Sequence, residues 1–171
     1  MLEGSKPFSV KRAALLLEWV YLDGRLSYES YCQGIDTTVI ALNKFIKANN
    51  LSNFRTGGNF ALFEYFSRPY SMNNHQPFTY DFEDFAGSKD FTKLFVTKVM
   101  NTHMGQCRSL PMYYKILAEE LHTEAYITFA PQHILIRHRD EQDPGKWVNV
   151  ELTTQSLSRE IFYIEFASNN R

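Results

Sequence analysis

Gly105-Gln106-Cys107-Arg108-Ser109-Leu110-Pro111 leads from a polar loop into an amphipathic segment. A helix is predicted after it, because apolar residues recur at helical spacing: Leu110, Tyr113, Tyr114, Leu117 and Leu121. Since Pro111 has no N–H to bond the carbonyl of Cys107, the regular helix is expected to begin near Ser109 or to kink at Pro111. Backbone N–H groups and the helix dipole both favour a thiolate at such a helix entrance.

The composition is that of one folded domain. With 171 residues, of which 44% are hydrophobic and 15% aromatic, the chain can bury a substantial core and is not expected to be disordered. The formal net charge of −1 argues against nucleic-acid binding, which rests on a basic surface. Two cysteines, Cys32 and Cys107, do not make a disulfide framework. Reduced thiols are therefore the default, with a bridge between them as the alternative.

The sequence contains no apolar run that approaches the ~20 residues of a membrane-spanning helix, so no membrane association is predicted. Its first residues lack the basic and apolar regions of a signal peptide. We therefore expect a cytoplasmic protein by default, and a periplasmic or secreted one if a signal was trimmed. The oligomeric state is not indicated by any pattern in the sequence.

The N-terminal part, residues 9–70, is predicted to be helical. Ser9 is placed to cap a first helix that Asp23-Gly24 ends, and a second helix follows from about Ser27. The second helix is indicated by apolar residues at helical spacing: Tyr28, Tyr31, Ile35, Val39, Leu42 and Ile46. A short aromatic helix is expected over 60–66, and a further helix, capped by Asp90, over 91–100.

An acidic group precedes that last helix: Asp81, Glu83, Asp84 and Asp90. Its spacing differs from that of an EF-hand loop, and no glutamate stands at the closing position that calcium binding needs. We therefore predict no metal site and assign these residues to turns and helix caps.

Beyond residue 125 the apolar pattern changes to a period of two, which predicts strands over 125–130, 132–139 and 146–153. Pro131 joins the first two strands, a position that suits a sheet edge or a bulge. The segment 140–145 is a turn. A closing helix, capped by Ser156 or Ser158, is expected to run through Phe166.

The last two strands are expected to form a hairpin. In the register that we predict, one face carries three opposed pairs: His133 with Glu151, Leu135 with Asn149, and Arg137 with Trp147. The other face is apolar and is expected to be core: Ile134, Ile136, Val148, Val150 and Leu152. A slip of one residue would exchange the two faces, so the register is well constrained.

A histidine beside a carboxylate can activate a thiol. A free thiol, with a pKa of ~8.5, is only slightly ionised at neutral pH, and a neighbouring imidazolium lowers that pKa. Glu151 would orient the imidazole of His133 and stabilise its charged form, as the acid of a catalytic triad does. The backbone N–H of Cys107 is a ready oxyanion donor, and Gln106 or Asn101 is the candidate for the second donor.

Three segments resemble the transglutaminase-like superfamily of papain-type thiol enzymes: Gly105-Gln106-Cys107-Arg108-Ser109-Leu110, Pro131-Gln132-His133, and Trp147-Val148-Asn149-Val150-Glu151. That family has a Gly-x-Cys segment opening a helix, a strand histidine and a Trp-x-x-x-Asp strand. The matching part covers residues 90–155. The helical N-terminal part, with Tyr80-Asp81 and Asp90-Phe91, is similar to a bacterial subgroup in which a helical segment precedes the transglutaminase-like core.

The resemblance implies a role for each matching residue. Cys107 would be the nucleophile, His133 the general base and acid, and Glu151 the orienting carboxylate. The family usually has aspartate where this chain has Glu151, so Asn149, on the same face, is the alternative third member, as an asparagine is in papain. Trp147 would shield the histidine.

We therefore expect an α+β protein with a papain/transglutaminase-like core. Residues 1–171 would form a single domain, with a helical segment over 9–70 and the core over 78–166. The expected activity is cysteine-dependent acyl transfer, by hydrolysis of a peptide or protein amide without a cofactor. The alternative is a non-catalytic module that binds a peptide or partner protein, because the segment Phe60 to Phe82 is rich in aromatics and some relatives lack the nucleophile.

Overall fold

The computed structural model of the protein describes residues 8–159, and within them the fold is α+β, as expected. The helices are α1 (Val10–Tyr21), α2 (Tyr28–Ala48), α3 (Gly57–Ser67), α4 (Val96–Thr102) and α5 (Ser109–Glu120). The strands are β1 (Thr79–Tyr80), β2 (Met104–Gly105), β3 (Tyr126–Ala130), β4 (His133–Arg139), β5 (Trp147–Glu151) and β6 (Ser156–Arg159). None of the helices in residues 8–159 combines the length and the apolar sequence that a membrane span requires.

The two N-terminal helices begin where their caps predict. The hydroxyl of Ser9 accepts a hydrogen bond from the N–H of Arg12, and that of Ser27 accepts one from Ser30. A turn with positive φ at Asp23 and Gly24 separates the helices. The predictions for α1 and α2 are therefore confirmed.

The prediction of one continuous helix over 91–100 is wrong, because the structure divides this segment into two elements. A short 3₁₀ turn (Phe91–Leu94), capped by Asp90 as predicted, is followed by an extended Phe95, and α4 begins only at Val96. The buried carboxylate of Glu18, in α1, accepts hydrogen bonds from the N–H groups of Val96 and Thr97. Phe95 is buried and packs edge-on against Tyr21. Contacts with α1 therefore start a new helix here.

Helix α5 begins at Ser109, as the proline argument predicts. Pro111 is the third residue of the helix, where its missing N–H costs nothing because the first turn has no intrahelical acceptors. The helix occupies the centre of the hydrophobic core, which it shares with α2, α3 and the sheet. The fully buried members of that core include Tyr113, Tyr114, Leu117, Ile35, Leu42, Phe66, Ile136 and Val150.

Strands β3 to β6 form one antiparallel sheet in that order, and β1 pairs with β2 in parallel. The strands predicted over 125–130, 132–139 and 146–153 are confirmed, with ends that differ by one or two residues. Pro131 and Gln132 form a two-residue turn between β3 and β4, with Ala130 opposite His133 and Gln132 at positive φ. Pro131 thus lies in the turn that ends the edge strand β3.

The predicted register between β4 and β5 is wrong by two residues. Arg137 lies opposite Asn149, and Arg139 lies opposite Trp147. The predicted register would have paired Asp140 with Pro144, which has no N–H; Asp140 pairs instead with Lys146, with its N–H 3.0 Å from the carbonyl oxygen. A shift of two residues leaves every side chain on its predicted face.

The closing helix expected from Ser156 or Ser158 is wrong at its start. Residues Ser156–Arg159 form β6, with Leu157 opposite Val150 and Ser156 opposite Glu151. Alternating polar and apolar residues and a preceding turn, with Gln155 at positive φ, favour a strand here. The rest of that predicted helix, residues 160–166, lies outside the described residues.

Candidate active site

His133 and Glu151 meet at one end of the sheet. His133 is the first residue of β4 and Glu151 the last of β5, and the imidazole Nε2 lies 2.5 Å from Oε2 of the carboxylate. Val150 lies opposite Ile136, so the next residue, Glu151, lies opposite Leu135. Its contact with His133, two residues before Leu135, is therefore diagonal across the strand pair. The two side chains are 26% and 9% exposed, so water screens their interaction only in part.

Further hydrogen bonds orient the carboxylate. Oε1 of Glu151 accepts from the N–H of Thr153, at 3.2 Å, and from its hydroxyl, at 2.7 Å. One oxygen therefore faces His133 while the other is held by the turn that follows β5. Sequence reasoning missed Thr153; the signal available for it was a hydroxyl residue two positions after an acidic one, a spacing typical of side-chain turns.

The electrostatics favour an imidazolium–carboxylate pair. The hydrogen bond with Glu151 raises the pKa of His133 above its usual value, and burial opposes this only in part. Burial by itself would raise the pKa of Glu151, but the hydrogen bonds from His133 and Thr153 lower it overall. In this pair Nε2–H donates to Glu151. Among residues 8–159, Nδ1 of His133 has no hydrogen-bond partner and remains available to a second group.

Cys107 stands at the entrance of α5, two residues before the helix begins. Its side chain is half-buried, and the preceding Gly105 pairs with Tyr80 in the short parallel sheet. Burial, and then the negative charge of Asp81, raise the pKa of Tyr80. In the part of the chain that the structure describes, the backbone N–H of Cys107 donates no hydrogen bond and is a free oxyanion donor.

Buried ionic contacts fix the segment that leads to Cys107. The carboxylate of Asp81, directly after β1, is buried and hydrogen-bonded to Lys98, and it lies 3.6 Å from Lys93. Burial would raise the pKa of Asp81, but Lys98 and the N–H of Glu83 lower it overall. Lys98 also donates to the carbonyl of Met104, at 3.0 Å. Sequence reasoning missed this role of Asp81, although a lysine on the apolar face of a predicted helix was a signal for it.

A hydrogen bond links the two halves of the candidate site. The side-chain amide of Gln155, in the turn after β5, donates to the carbonyl of Phe78 at 2.6 Å. Phe78 immediately precedes β1, which pairs with β2 just before Cys107. The end of the sheet that bears His133 and Glu151 is therefore attached to the segment that positions the thiol.

The structure nevertheless leaves Cys107 and His133 without a hydrogen bond between them in the described part of the chain. By strand alternation, His133 lies on the face opposite to Ile136 and Val150, which pack with α5 in the core.

The two oxyanion candidates lie in different places. Gln106 is fully buried; its amide donates to the carbonyl of Lys93, at 2.8 Å, and accepts from the hydroxyl of Ser109, at 2.9 Å. It thereby braces the start of α5. Asn101, in α4, lines a separate cavity of about 310 Å³ together with Thr38, His103 and Tyr113, and Cys107 is not among the residues of that cavity.

The other two candidates lie along β5. Asn149 shares the face of His133 and is buried, and its amide nitrogen has no hydrogen-bond partner among residues 8–159. Trp147 lies four residues before Glu151, about 13 Å along the strand. The centroid of its ring lies 3.6 Å from Cζ of Arg139 and 5.5 Å from the ring centroid of Tyr126. The structure thus does not bring Trp147 to His133.

Within residues 8–159, no group of three or more histidine, cysteine, aspartate or glutamate side chains could hold a metal ion. Both cysteines, Cys32 and Cys107, are free thiols. Comparison with models of protein families, with curated proteins and with solved structures found no match to this chain.

Proposed function

We propose that this protein is a cysteine-dependent acyl-transfer enzyme of the transglutaminase-like type, which hydrolyses peptide or protein amides with Cys107, His133 and Glu151. The observation that carries the proposal is the ion pair of His133 and Glu151, which uses Nε2 and leaves Nδ1 for the thiol. An imidazolium held by a carboxylate is the group that stabilises a neighbouring thiolate. The papain-like arrangement of the core belongs to the same proposal.

The reaction would proceed in two steps. The thiolate of Cys107 attacks the amide carbonyl carbon, and the resulting oxyanion accepts a hydrogen bond from the N–H of Cys107. As the C–N bond breaks, His133 donates the Nδ1 proton to the leaving amine and a thioester forms. Water then attacks the thioester, His133 takes up a proton from it, and the carboxylic acid leaves with regeneration of the thiolate. Glu151 keeps the imidazole oriented throughout.

The proposal requires Cys107 to come within hydrogen-bond reach of Nδ1, in the free protein as well as with substrate bound. Catalytic hydrogen bonds are often long in the absence of substrate and tighten in the complex. The hydrogen bond from Gln155 to Phe78 supports this approach, because it attaches the turn after β5 to the residue before β1, which pairs with β2 close to Cys107.

A second candidate is favoured by the separation of Cys107 from His133. In that case the chain is a non-catalytic module that binds a peptide or partner protein, and the ion pair is structural. Its aromatic surface supports this candidate: within the predicted aromatic segment Phe66 and Phe78 are buried, but Phe60 and Phe82 are 48% and 82% exposed.

Alkylation by iodoacetamide separates the two candidates. We expect Cys107, followed by mass spectrometry of its peptide, to react at a rate that stays high below pH ~7 in wild type and is lost in His133→Ala. Cys32, half-buried in α2, is the control thiol within the same molecule. If Cys107 reacts with the pH dependence of Cys32 in both proteins, the enzyme proposal is overturned and the binding module stands.

A further inference from the structure

Among residues 8–159, strand β3 is an edge of the main sheet, with backbone groups that point outward. It pairs with β4 through a two-residue turn, and the residues that flank such a turn form a hydrogen-bonded pair. Bonded and non-bonded pairs then alternate, so the N–H and C=O groups of Ile127 and Phe129 face away from β4. In the part of the chain that the structure describes, these groups have no hydrogen-bond partner.

This edge lacks the features that protect most edge strands. Its five residues, Tyr126–Ala130, include no charge and no proline, and they pair with β4 without a bulge. Phe129 is 76% exposed and Tyr126 49% exposed. An uncharged, aromatic and regular edge is a template for another strand.

We propose that an extended peptide segment adds to β3 as a fifth strand of the sheet. The inference rests on the proposed function and deepens it, because it makes the substrate an extended polypeptide rather than a small amide. The outward N–H and C=O groups of Ile127 and Phe129 require a partner with the alternating donors and acceptors of a backbone. The lack of charge on β3 favours an uncharged segment with an apolar side chain packed on Phe129.

The size of the edge favours a peptide over a second copy of the chain. A stable interface between two proteins takes about 20–30 residues from each side. Strand β3 offers five residues. A short peptide, by contrast, needs only the backbone bonds and a few side-chain contacts of one strand.

The position of the edge also connects it with the candidate site. Strand β3 runs through Pro131 and Gln132 directly into His133, and Ala130 lies opposite His133. A segment beside β3 is separated from β4 by two strand spacings, about 10 Å. Beyond Ala130, the last residue of β3, the added segment would leave the sheet at the end that bears His133 and Glu151. The edge would thus guide a polypeptide toward the site.

The test uses a fluorescein-labelled peptide of alternating threonine and valine and its anisotropy in a titration with the full chain. We expect saturable binding to wild type and about tenfold or more weaker binding to Phe129→Lys, which places a charge on the edge. Ile40→Lys puts the same charge on an exposed residue of α2 and is expected to bind within about twofold of wild type. The same peptide methylated at every internal amide nitrogen should not bind, because it cannot donate to the edge.

Several outcomes would overturn the inference. They are no binding of the peptide up to about 1 mM, equal binding of the methylated peptide, and equal binding to Phe129→Lys. A wild-type dimer in sedimentation that Phe129→Lys dissociates would assign the edge to a second copy instead.

Failure of the proposed function is distinguishable, because alkylation of Cys107 does not involve β3. Peptide binding with an unreactive Cys107 supports the edge and a binding module. A reactive Cys107 without peptide binding overturns the edge alone.

Discussion

At the scale of single residues, His133 and Glu151 form an ion pair between the start of β4 and the end of β5. Side chains alternate between the two faces of a strand, so a register that is wrong by two residues still puts His133 and Glu151 on the same face. The predicted contact between them therefore did not depend on the exact pairing. The position of Cys107 relative to this pair depends on how α5 packs against the sheet, which no local sequence pattern predicts. The hydrogen bond from the amide of Gln106 to the carbonyl of Lys93, 13 residues earlier in the chain, could not be predicted from a local pattern either.

The ion pair makes a prediction about stability and pH. The folded-state pKa of His133 is raised, so its contribution to stability is complete at pH values below its unfolded-state pKa and is lost as pH rises through its folded-state pKa. The folded-state pKa of Glu151 is lowered, so its contribution to stability is complete at pH values above its unfolded-state pKa and is lost as pH falls through its folded-state pKa. The pair therefore stabilises the fold most between the two ordinary pKa values, about 4.5 and 6.5.

Glu151→Gln should consequently lower the urea midpoint most near pH ~5.5 and less above pH ~8. Glu29→Gln, which removes an exposed carboxylate from α2, is the control and should change the midpoint little at either pH. A loss of stability in Glu151→Gln that is equal at both pH values would contradict the ion pair.

At the scale of elements, helix ends were predictable where their caps are local. Ser9, Ser27 and Asp90 cap the elements that follow them, as the sequence indicates. The start of α4 is different, because its cap is Glu18, which is 78 residues away from Val96 in the chain. The strand β6 was missed because a serine before an apolar residue is also typical of a helix start.

Glu18→Ala tests the cap that α1 gives to α4. Glu18 is 2% exposed and accepts from the N–H groups of Val96 and Thr97 and from the Thr97 hydroxyl. Its removal leaves buried donors without partners, so we expect a loss of about 2 kcal/mol in the free energy of unfolding, measured in urea. Glu29→Ala, at an exposed position, is the control. A loss no larger than that of the control would show that α4 does not depend on Glu18.

Burial raises the pKa of Glu18 despite the hydrogen bonds from Thr97 and Val96. An acid with a raised folded pKa stabilises the fold most below its unfolded value, and this contribution is lost as pH rises through the folded value. The difference in stability between wild type and Glu18→Ala should therefore shrink as pH rises from about 4 to 8.

At the scale of the whole molecule, the α+β class followed from the change of period near residue 125, from helical spacing to alternation. The central place of α5 also follows from its sequence, since its apolar stripe is wide enough to contact two partners. Which face of the sheet α5 covers was implied by the apolar face of β4 and β5, and Ile136 and Val150 confirm it. The sheet order could not be predicted beyond the hairpins, because β6 was not recognised.

The position of α5 in the core predicts unequal effects of two leucine truncations. Leu117 is fully buried in α5, while Leu17, in α1, is 56% exposed. We expect Leu117→Ala to lower the free energy of unfolding in urea by about 2–5 kcal/mol, because it removes packed methyl groups and leaves a cavity. Leu17→Ala should change it by less than about 0.5 kcal/mol. Equal losses would contradict the burial of α5 between the helices and the sheet.

The central claim, that Cys107 and the His133–Glu151 pair act as one site, is tested most directly by the titration of His133. We would follow its ring signals by NMR from pH ~4 to 10 in wild type and in Cys107→Ala. A thiolate near Nδ1 stabilises the imidazolium, so the account predicts that the pKa of His133 falls when the thiol is removed. An unchanged titration of His133 in Cys107→Ala would contradict it.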